Sequence, residues 1–296
     1  MALDNVLHEL TAQFMSEPSP APPVMPRPVI TLTTDFGLSD HYVGTMKGVL
    51  LSRCPRVHIV DISHEIRPFS ILAGAYAISQ AAPFFPTGSV HVVVVDPGVG
   101  TPRKPLLVEA ADQFFIAPDN GVLSLILHRD PRAITWEISN EALMLPTPSA
   151  TFHGRDIFAP AAAAIACGAA KPDDVGPVIA QPVLHADLFP RQTGPNLWRG
   201  TVLSVDRFGN IITNFKAADF PGLASQPFAL RLAGFEINQL VQTFGDATTG
   251  LCFAYFGSSG LVEIGMNQQS AADLLKVKDG EPIEFQVVQD FQAANA

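Results

Sequence analysis

The chain has 296 residues, a formal charge of −10 from 18 Lys and Arg against 28 Asp and Glu, 47% apolar residues and 16% charged ones. That balance excludes intrinsic disorder, and a chain of this length buries roughly three quarters of its surface without staples. No Lys or Arg cluster occurs, which excludes a nucleic-acid binder led by phosphate contacts.

In chain order, residues 1–27 read as a short amphipathic helix, with Leu3, Val6, Leu7, Leu10 and Phe14 at helical spacing, and then a linker with six prolines in 18–28. The first positive side chain is Arg27, so no secretory signal is predicted. From residue 28 strand-like and helix-like runs alternate. Val29–Thr34 is a strand and Tyr42–Ser52 a helix; Val57–Asp61 is a strand and Ser70–Gln80 a helix. Val90–Val95 is apolar without alternation, the mark of a central strand buried on both faces. Strands at Leu106–Glu109, Phe114–Ile116 and Ile134–Ile138 follow, with a helix after PDNG. An Ala-rich helix opens near Gly154–Asp156 and runs to about Cys167. This predicts an α/β layer with a largely parallel sheet over 28–191. Past Pro190 only short strands appear, at Trp198–Val205, Ile211–Asn214, Phe228–Leu232, Cys252–Phe256, Leu261–Ile264 and Pro282–Val288. They predict a smaller antiparallel, barrel-like domain over 197–296, with the boundary in QTGPN.

The three cysteines, Cys54, Cys167 and Cys252, are far apart along the chain and form no Cys-x-x-Cys pair. They read as buried free thiols in a reducing compartment. The most apolar stretch, Phe158–Ala170, is too short for a bilayer, which needs about 20 residues. A soluble, cytoplasmic protein is expected.

Four polar clusters sit where strands end, the place where α/β sheets hold ligands. In TTDFGLSD, Asp35 can accept from a ribose diol, or simply cap the turn. In DPGVGTPR, Gly98 and Gly100 permit a tight loop that folds Arg103 back on Asp96 as a carboxylate–guanidinium pair. In TFHGRDIFAP, His153 is loop-borne beside a helix start. In DRFGNIITN, Asp206 and Asn210 lie on a turn that can hold a zwitterionic amino-acid group or be an ordinary hairpin. Asp35, His64, His91, Asp96, Asp119 and His153 supply hard-cation ligand types, but no His-x-His or HExxH motif is present, so no metal is expected.

Taken together, TDFGxxDxYVGxMKG (34–48), VVDPGVGTxR (94–103), PDNG (118–121), TFHGRDIFAP (151–160) and DxFGNxxTN (206–214) resemble the S-adenosyl-L-methionine hydroxide adenosyltransferases, relatives of the fluorinase and chlorinase. The match covers residues 28–288. It implies an α/β domain joined to a small β-barrel, and a homotrimer with each active site between one subunit's first domain and a neighbour's barrel. It implies hydrolysis of S-adenosyl-L-methionine to adenosine and L-methionine by water attack at C5′, without metal or organic cofactor. By position, Asp96, Arg103 and His153 fall on the family's water-activating triad, and Asp35 on the carboxylate that grips the ribose. Phe69 and Phe152 fall on aromatic packing positions. Asp206, Asn210 and Ser258 align with residues holding the methionine end, and Phe244, Asn267 and Gln268 lie near the adenine. The turn FGSSG departs from the family, which places Asn before Ser258. A halogenase, a metal-dependent hydrolase and a non-enzymatic nucleoside sensor are the alternatives; the polar triad disfavours halide transfer, since halogenases lack this Asp and His.

Overall fold

A computed structural model describes residues 27–287, so the N-terminal helix, most of the proline-rich linker and Val288 lie outside the described residues. Within them are fourteen strands and five α-helices. The first sheet comprises β1 (Val29–Thr34), β2 (His58–Ser63), β3 (Val90–Val94), β4 (Pro105–Ala110), β5 (Gln113–Pro118) and β6 (Ile134–Glu137), in the order β2-β1-β3-β5-β4-β6. Strands β2, β1, β3 and β5 are parallel, and the hairpin strand β4 runs antiparallel to both β5 and β6. All five residues of β3 are buried, as an unbroken apolar run in a sheet covered on both faces requires.

One face is covered by α1 (Tyr42–Arg53) and α4 (Ala159–Ala166). Val43, Met46 and Leu50 of α1 point inward at helical spacing, and α4 buries Ala161, Ala162 and Ala163 completely. Methyl side chains let that helix lie close against Val92 and Val94 of β3 and Leu50 of α1 in one core. The other face carries α2 (Ile71–Ala81) and α3 (Ser124–Arg129). Val93, Phe115, Ile78 and Ile126 pack there with Leu203, Ile212 and Leu261, so the second domain rests on the α2 side.

The second sheet contains β7 (Arg191–Gly194), β8 (Leu197–Val205), β9 (Ile211–Lys216), β10 (Phe228–Leu232), β11 (Phe235–Ile237), β12 (Cys252–Phe256), β13 (Leu261–Met266) and β14 (Pro282–Val287). Its order is β11-β10-β14-β8-β9-β13-β12, antiparallel throughout, with β7 added beside β8. A bridge from Leu240 to Ala254 brings the two ends of the sheet nearly together, giving a barrel-like closure. Its core is aromatic. The fully buried Phe285 ring lies 4.3 Å from Phe220, 5.2 Å from Phe215 and 6.0 Å from Phe228.

Three elements lack a strong sequence signal: β7, β11 and α5 (Ala271–Leu275). β7 is polar (RQTG) and falls in the expected boundary segment, where it forms a hairpin with β8. β11 has three residues and α5 five, too short for a period to register. The cysteines also differ from expectation. Cys54 is buried, but Cys167 is exposed at the end of α4 and Cys252 is half-buried. Cys54 and Cys167 nonetheless line one cleft, because α1 and α4 end side by side.

Truncating Phe285 removes the ring shared by the barrel core. Phe285→Ala is expected to cost about 3–5 kcal/mol, read as a lower urea midpoint for the barrel; a loss below about 1 kcal/mol would contradict this packing.

Candidate active site

Three loops at the carboxyl ends of parallel strands and at the start of α4 build one cavity. β3 runs out at Val94, and Asp96 opens a loop of two overlapping turns. Val99 N–H donates to Asp96 O at 3.2 Å and Thr101 N–H to Gly98 O at 3.1 Å. Gly100 sits at φ +79°, where a Cβ would approach Ala150 O to 2.7 Å. The turns reverse the chain, so that Arg103 Nε donates to Asp96 Oδ1 at 3.1 Å and its Nη2 donates to Asp96 Oδ2. Both side chains are almost wholly buried, at 8% and 4% exposure.

The same Nη2 lies 2.7 Å from His153 Nδ1. A guanidinium has no acceptor, so Nδ1 must present its lone pair and the neutral imidazole carries its proton on Nε2. Burial, with the Arg103 charge beside it, lowers the His153 pKa below the ordinary 6.5 and keeps the ring neutral at pH 7. His153 is held at the entrance of a π-turn over Gly154–Phe158 that leads into α4, where the sequence predicts plain helix. Pro160 has no N–H, and the carbonyl of Asp156, four residues back, instead accepts from Leu145 N–H at 2.8 Å. Asp156 itself is tied down by Arg155 and by Ser149 N–H.

β1 delivers Asp35 to the opposite wall. Its Oδ2 accepts from Phe69 N–H at 2.8 Å, and burial raises its pKa against that bond. Asp35, Asp96 and His153 line a cavity of about 420 Å³ with Tyr42, Phe69 and Phe152. Phe152 stands edge-on to Tyr42 at 5.1 Å and to Phe36 at 6.0 Å, giving an aromatic wall. Thus Asp35, Phe69, Asp96, Arg103, Phe152 and His153, spread over about 120 residues of sequence, form one neighbourhood.

The barrel residues do not join it within one chain. Asp206 lines a separate interdomain groove of about 890 Å³. Its carboxylate holds its own turn, accepting at 2.8 Å from Phe208 N–H, Asn210 N–H and Asn210 Nδ2, which is the hairpin-turn reading. Asn210 and Phe244 meet around Gly265. Ser258 lies on the β12–β13 turn, and Asn267 and Gln268 follow β13, with Gln268 at φ +57°. None of the six lines the cavity.

Several groups flank the cavity. Phe36 and Tyr42 fall inside the TDFGxxDxYVGxMKG motif, whereas the sequence marks His64 and His91 only as hard-cation ligand types. Behind Asp35, Thr34 Oγ1 pairs with His64 Nδ1 at 2.8 Å, and His64 Nε2 is 3.0 Å from Asp61, which also takes the Lys47 ammonium. Burial raises the Asp61 pKa, but these two partners outweigh it and hold the carboxyl below its usual range. His91 is separately bonded to Thr31. Among the described residues no group of three or more His, Cys, Asp or Glu is arranged to hold a metal. Glu263 on β13, under the FGSSG turn, accepts from Tyr255 Oη at 2.6 Å and Ser259 Oγ at 3.0 Å.

A cavity with charged groups on two sides and an aromatic wall, at the carboxyl ends of parallel strands in a two-domain α/β protein, suits a small molecule. Residues 30–176 match the SAM hydroxide adenosyltransferase N-terminal domain and residues 200–284 the C-terminal domain. The chain belongs to that family. It is 38% identical over 267 residues to a Thermus thermophilus protein named (R)-S-adenosyl-L-methionine hydrolase, covering 88% of this chain and 99% of the relative. A Nocardia brasiliensis fluorinase is more distant, 28% identical over 88% of this chain and 97% of its own. A solved structure of an uncharacterized conserved protein from Thermotoga maritima superposes with a TM-score of 0.78 at 36% identity, covering 87% of this chain and 99% of that one.

Gly100→Ala tests how closely the Asp96–Arg103 loop and the loop before His153 must approach. The added methyl meets the Ala150 carbonyl in a backbone region that L-residues rarely adopt, so about 1–3 kcal/mol of stability should be lost. Wild-type thermal stability in this variant would show that the loops can separate freely.

Proposed function

We propose that this chain hydrolyses S-adenosyl-L-methionine to adenosine and L-methionine, with water attacking C5′. The observation that carries the reading is the single Arg103 Nη2 shared between Asp96 and His153 at the rim of the Asp35 cavity. The names of the Thermus thermophilus relative and of the family support the substrate.

In this reaction the O–C5′ bond forms as the C5′–S bond breaks, and its electron pair leaves on the methionine sulfur. The leaving thioether is neutral and needs no acid, so the chemical demand falls on the nucleophile. Making free hydroxide at neutral pH would cost about 12 kcal/mol; transfer of the proton during attack avoids most of it. Arg103 cannot take that proton. The Nδ1 lone pair of His153 is committed to Arg103, and its Nε2 bears a hydrogen. Asp96 is therefore the proton acceptor, Arg103 fixes it and stabilises developing hydroxide, and His153 Nε2–H donates to the water. Asp35 takes the ribose hydroxyls through the oxygen not occupied by Phe69 N–H, and Phe69 and Phe152 pack on the nucleoside. No metal or organic cofactor enters, because the sulfonium already activates the carbon.

The barrel residues Asp206, Asn210, Ser258, Phe244, Asn267 and Gln268 would then come from a neighbouring subunit of a homotrimer to hold the methionine and adenine ends. Their distance from the cavity within one chain is the support for this. Among the described residues no helix is long and apolar enough to cross a membrane.

Incubation in ¹⁸O water tests the reaction: label at the adenosine 5′-hydroxyl is expected, and intact substrate or a 5′-halo nucleoside would refute it. Asp96→Asn should lower kcat by roughly 10²–10⁴-fold with KM little changed, whereas Asp35→Ala should raise KM. Equal effects on both parameters in both variants would overturn the assignment of roles. The profile of kcat/KM against pH should be flat through pH 7 and fall only below the lowered His153 pKa, where a protonated Nδ1 can no longer accept from Arg103. An acid limb centred above pH 6.5 would contradict the neutral imidazole.

A further inference from the structure

Phe69 is the cavity-lining residue, glycine aside, whose backbone lies in the left-handed region, at φ +69°. A bulky side chain rarely adopts that conformation unless its surroundings over-determine it. Here the surroundings come partly from the other domain. Arg67 Nη1 donates to Asp279 Oδ1 at 2.5 Å, and Ser70 Oγ donates to Asp279 Oδ2. One carboxylate therefore grips the chain two residues before Phe69 and one residue after it.

Asp279 lies between α5 and β14 in the barrel domain, and its side chain is only 9% exposed. It is rooted there, since the next residue, Gly280, donates its N–H to Val202 O at 2.8 Å. On the α/β side, Ser70 also caps α2 by accepting from Ala73 N–H, so the carboxylate sits where the helix dipole favours negative charge. Within the strap, Ser70 N–H donates to Arg67 O at 3.0 Å and Ile71 N–H to Phe69 O at 3.1 Å. The Phe69 ring is left 71% exposed at the cavity lip, and the Phe69 N–H is spent on Asp35.

We propose that Asp279 is a positioning residue for the active site. By clamping the Arg67–Ser70 strap it holds the Phe69 ring over the cavity and the Phe69 N–H on Asp35, leaving the other Asp35 oxygen oriented for a diol. Each barrel thus sets ligand affinity at the cavity of its own chain, although it contributes no wall to that cavity. The kinetic part of the test rests on the hydrolase reading; the exchange part does not.

The test uses the full chain carrying Asp279→Ala. Hydrogen exchange at the Phe69 amide should accelerate about tenfold while the amides of α1 keep their rates. KM for S-adenosyl-L-methionine should rise about tenfold with kcat within about twofold. In a Phe69→Gly background, where the residue adopts positive φ without a clamp, the same substitution should change KM by less than about twofold. Unchanged Phe69 exchange, a loss confined to kcat, or an undiminished KM effect in the Phe69→Gly background would each overturn the proposal. If Asp279→Ala does not fold, Arg67→Ala removes one arm of the clamp from a half-exposed side chain, and the same three results decide. If the wild-type chain leaves the substrate intact, the hydrolase reading fails, and Phe69 exchange alone decides for or against the clamp.

Discussion

Everything at the candidate site depends on where one buried guanidinium can be placed. Arg103 is removed from water and compensated by a two-pronged bond to Asp96, and its Nη2 also reaches the His153 ring. A buried cation tolerates little freedom, because any partner that withdraws leaves an uncompensated charge. The requirement propagates outward. Asp96 must end a strand that cannot move, and β3 is the most enclosed strand of the first sheet. The loop must reverse within eight residues, which needs a left-handed Gly100. His153 must meet the loop from the segment that leads into α4, which brings Ala150 against Gly100. Nη1 of Arg103 is buried without a protein acceptor among the described residues, so the cluster retains the two N–H groups of Nη1 unused.

The two domains divide the labour unevenly. The α/β domain supplies the charged and aromatic walls of the cavity, and the barrel contributes none of its own residues to it within one chain. Yet the domains are not independent bodies. Leu203, Ile212 and Leu261 of the barrel complete the α2-side core, and Asp279 caps the start of α2 through Ser70. A helix whose first turn is fixed by another domain transmits that domain's position to the loop before it. Here that loop carries Phe69.

Regular elements were legible in the sequence where periodicity and length were sufficient. Val29–Thr34, Phe228–Leu232 and Cys252–Phe256 appear as read, and the apolar run Val90–Val95 contains the buried strand Val90–Val94. What escaped was either short or polar: β11, α5 and the RQTG strand. The π-turn at Gly154–Phe158 escaped because its cause, a proline one turn later freeing the Asp156 carbonyl for Leu145, is a contact between distant residues rather than a pattern. The site was half legible. Motif order named Asp96, Arg103 and His153, but the tautomer of His153 follows only from the direction of the Arg103 bond. Asp279 had no local signature at all, since its role depends on a fold that sets residue 279 beside residues 67 and 70.

The charge state of the triad bears on which nucleophile the proposed reaction uses. With His153 neutral, Arg103 and Asp96 sum to zero, and Asp35 adds a carboxylate across the cavity. A halide entering this space would meet two carboxylates and find the nearest cation already engaged by one of them. Water carries no charge, brings two lone pairs and offers protons that a carboxylate can accept. Desolvating a halide is worthwhile only where unpaired donors replace its hydration, and Arg103, with Nε and Nη2 engaged, keeps only Nη1 for that. In the proposed reaction, the pairing that stabilises Arg103 in the interior would therefore also discriminate between nucleophiles, favouring the one that can be deprotonated over the one that must be stripped.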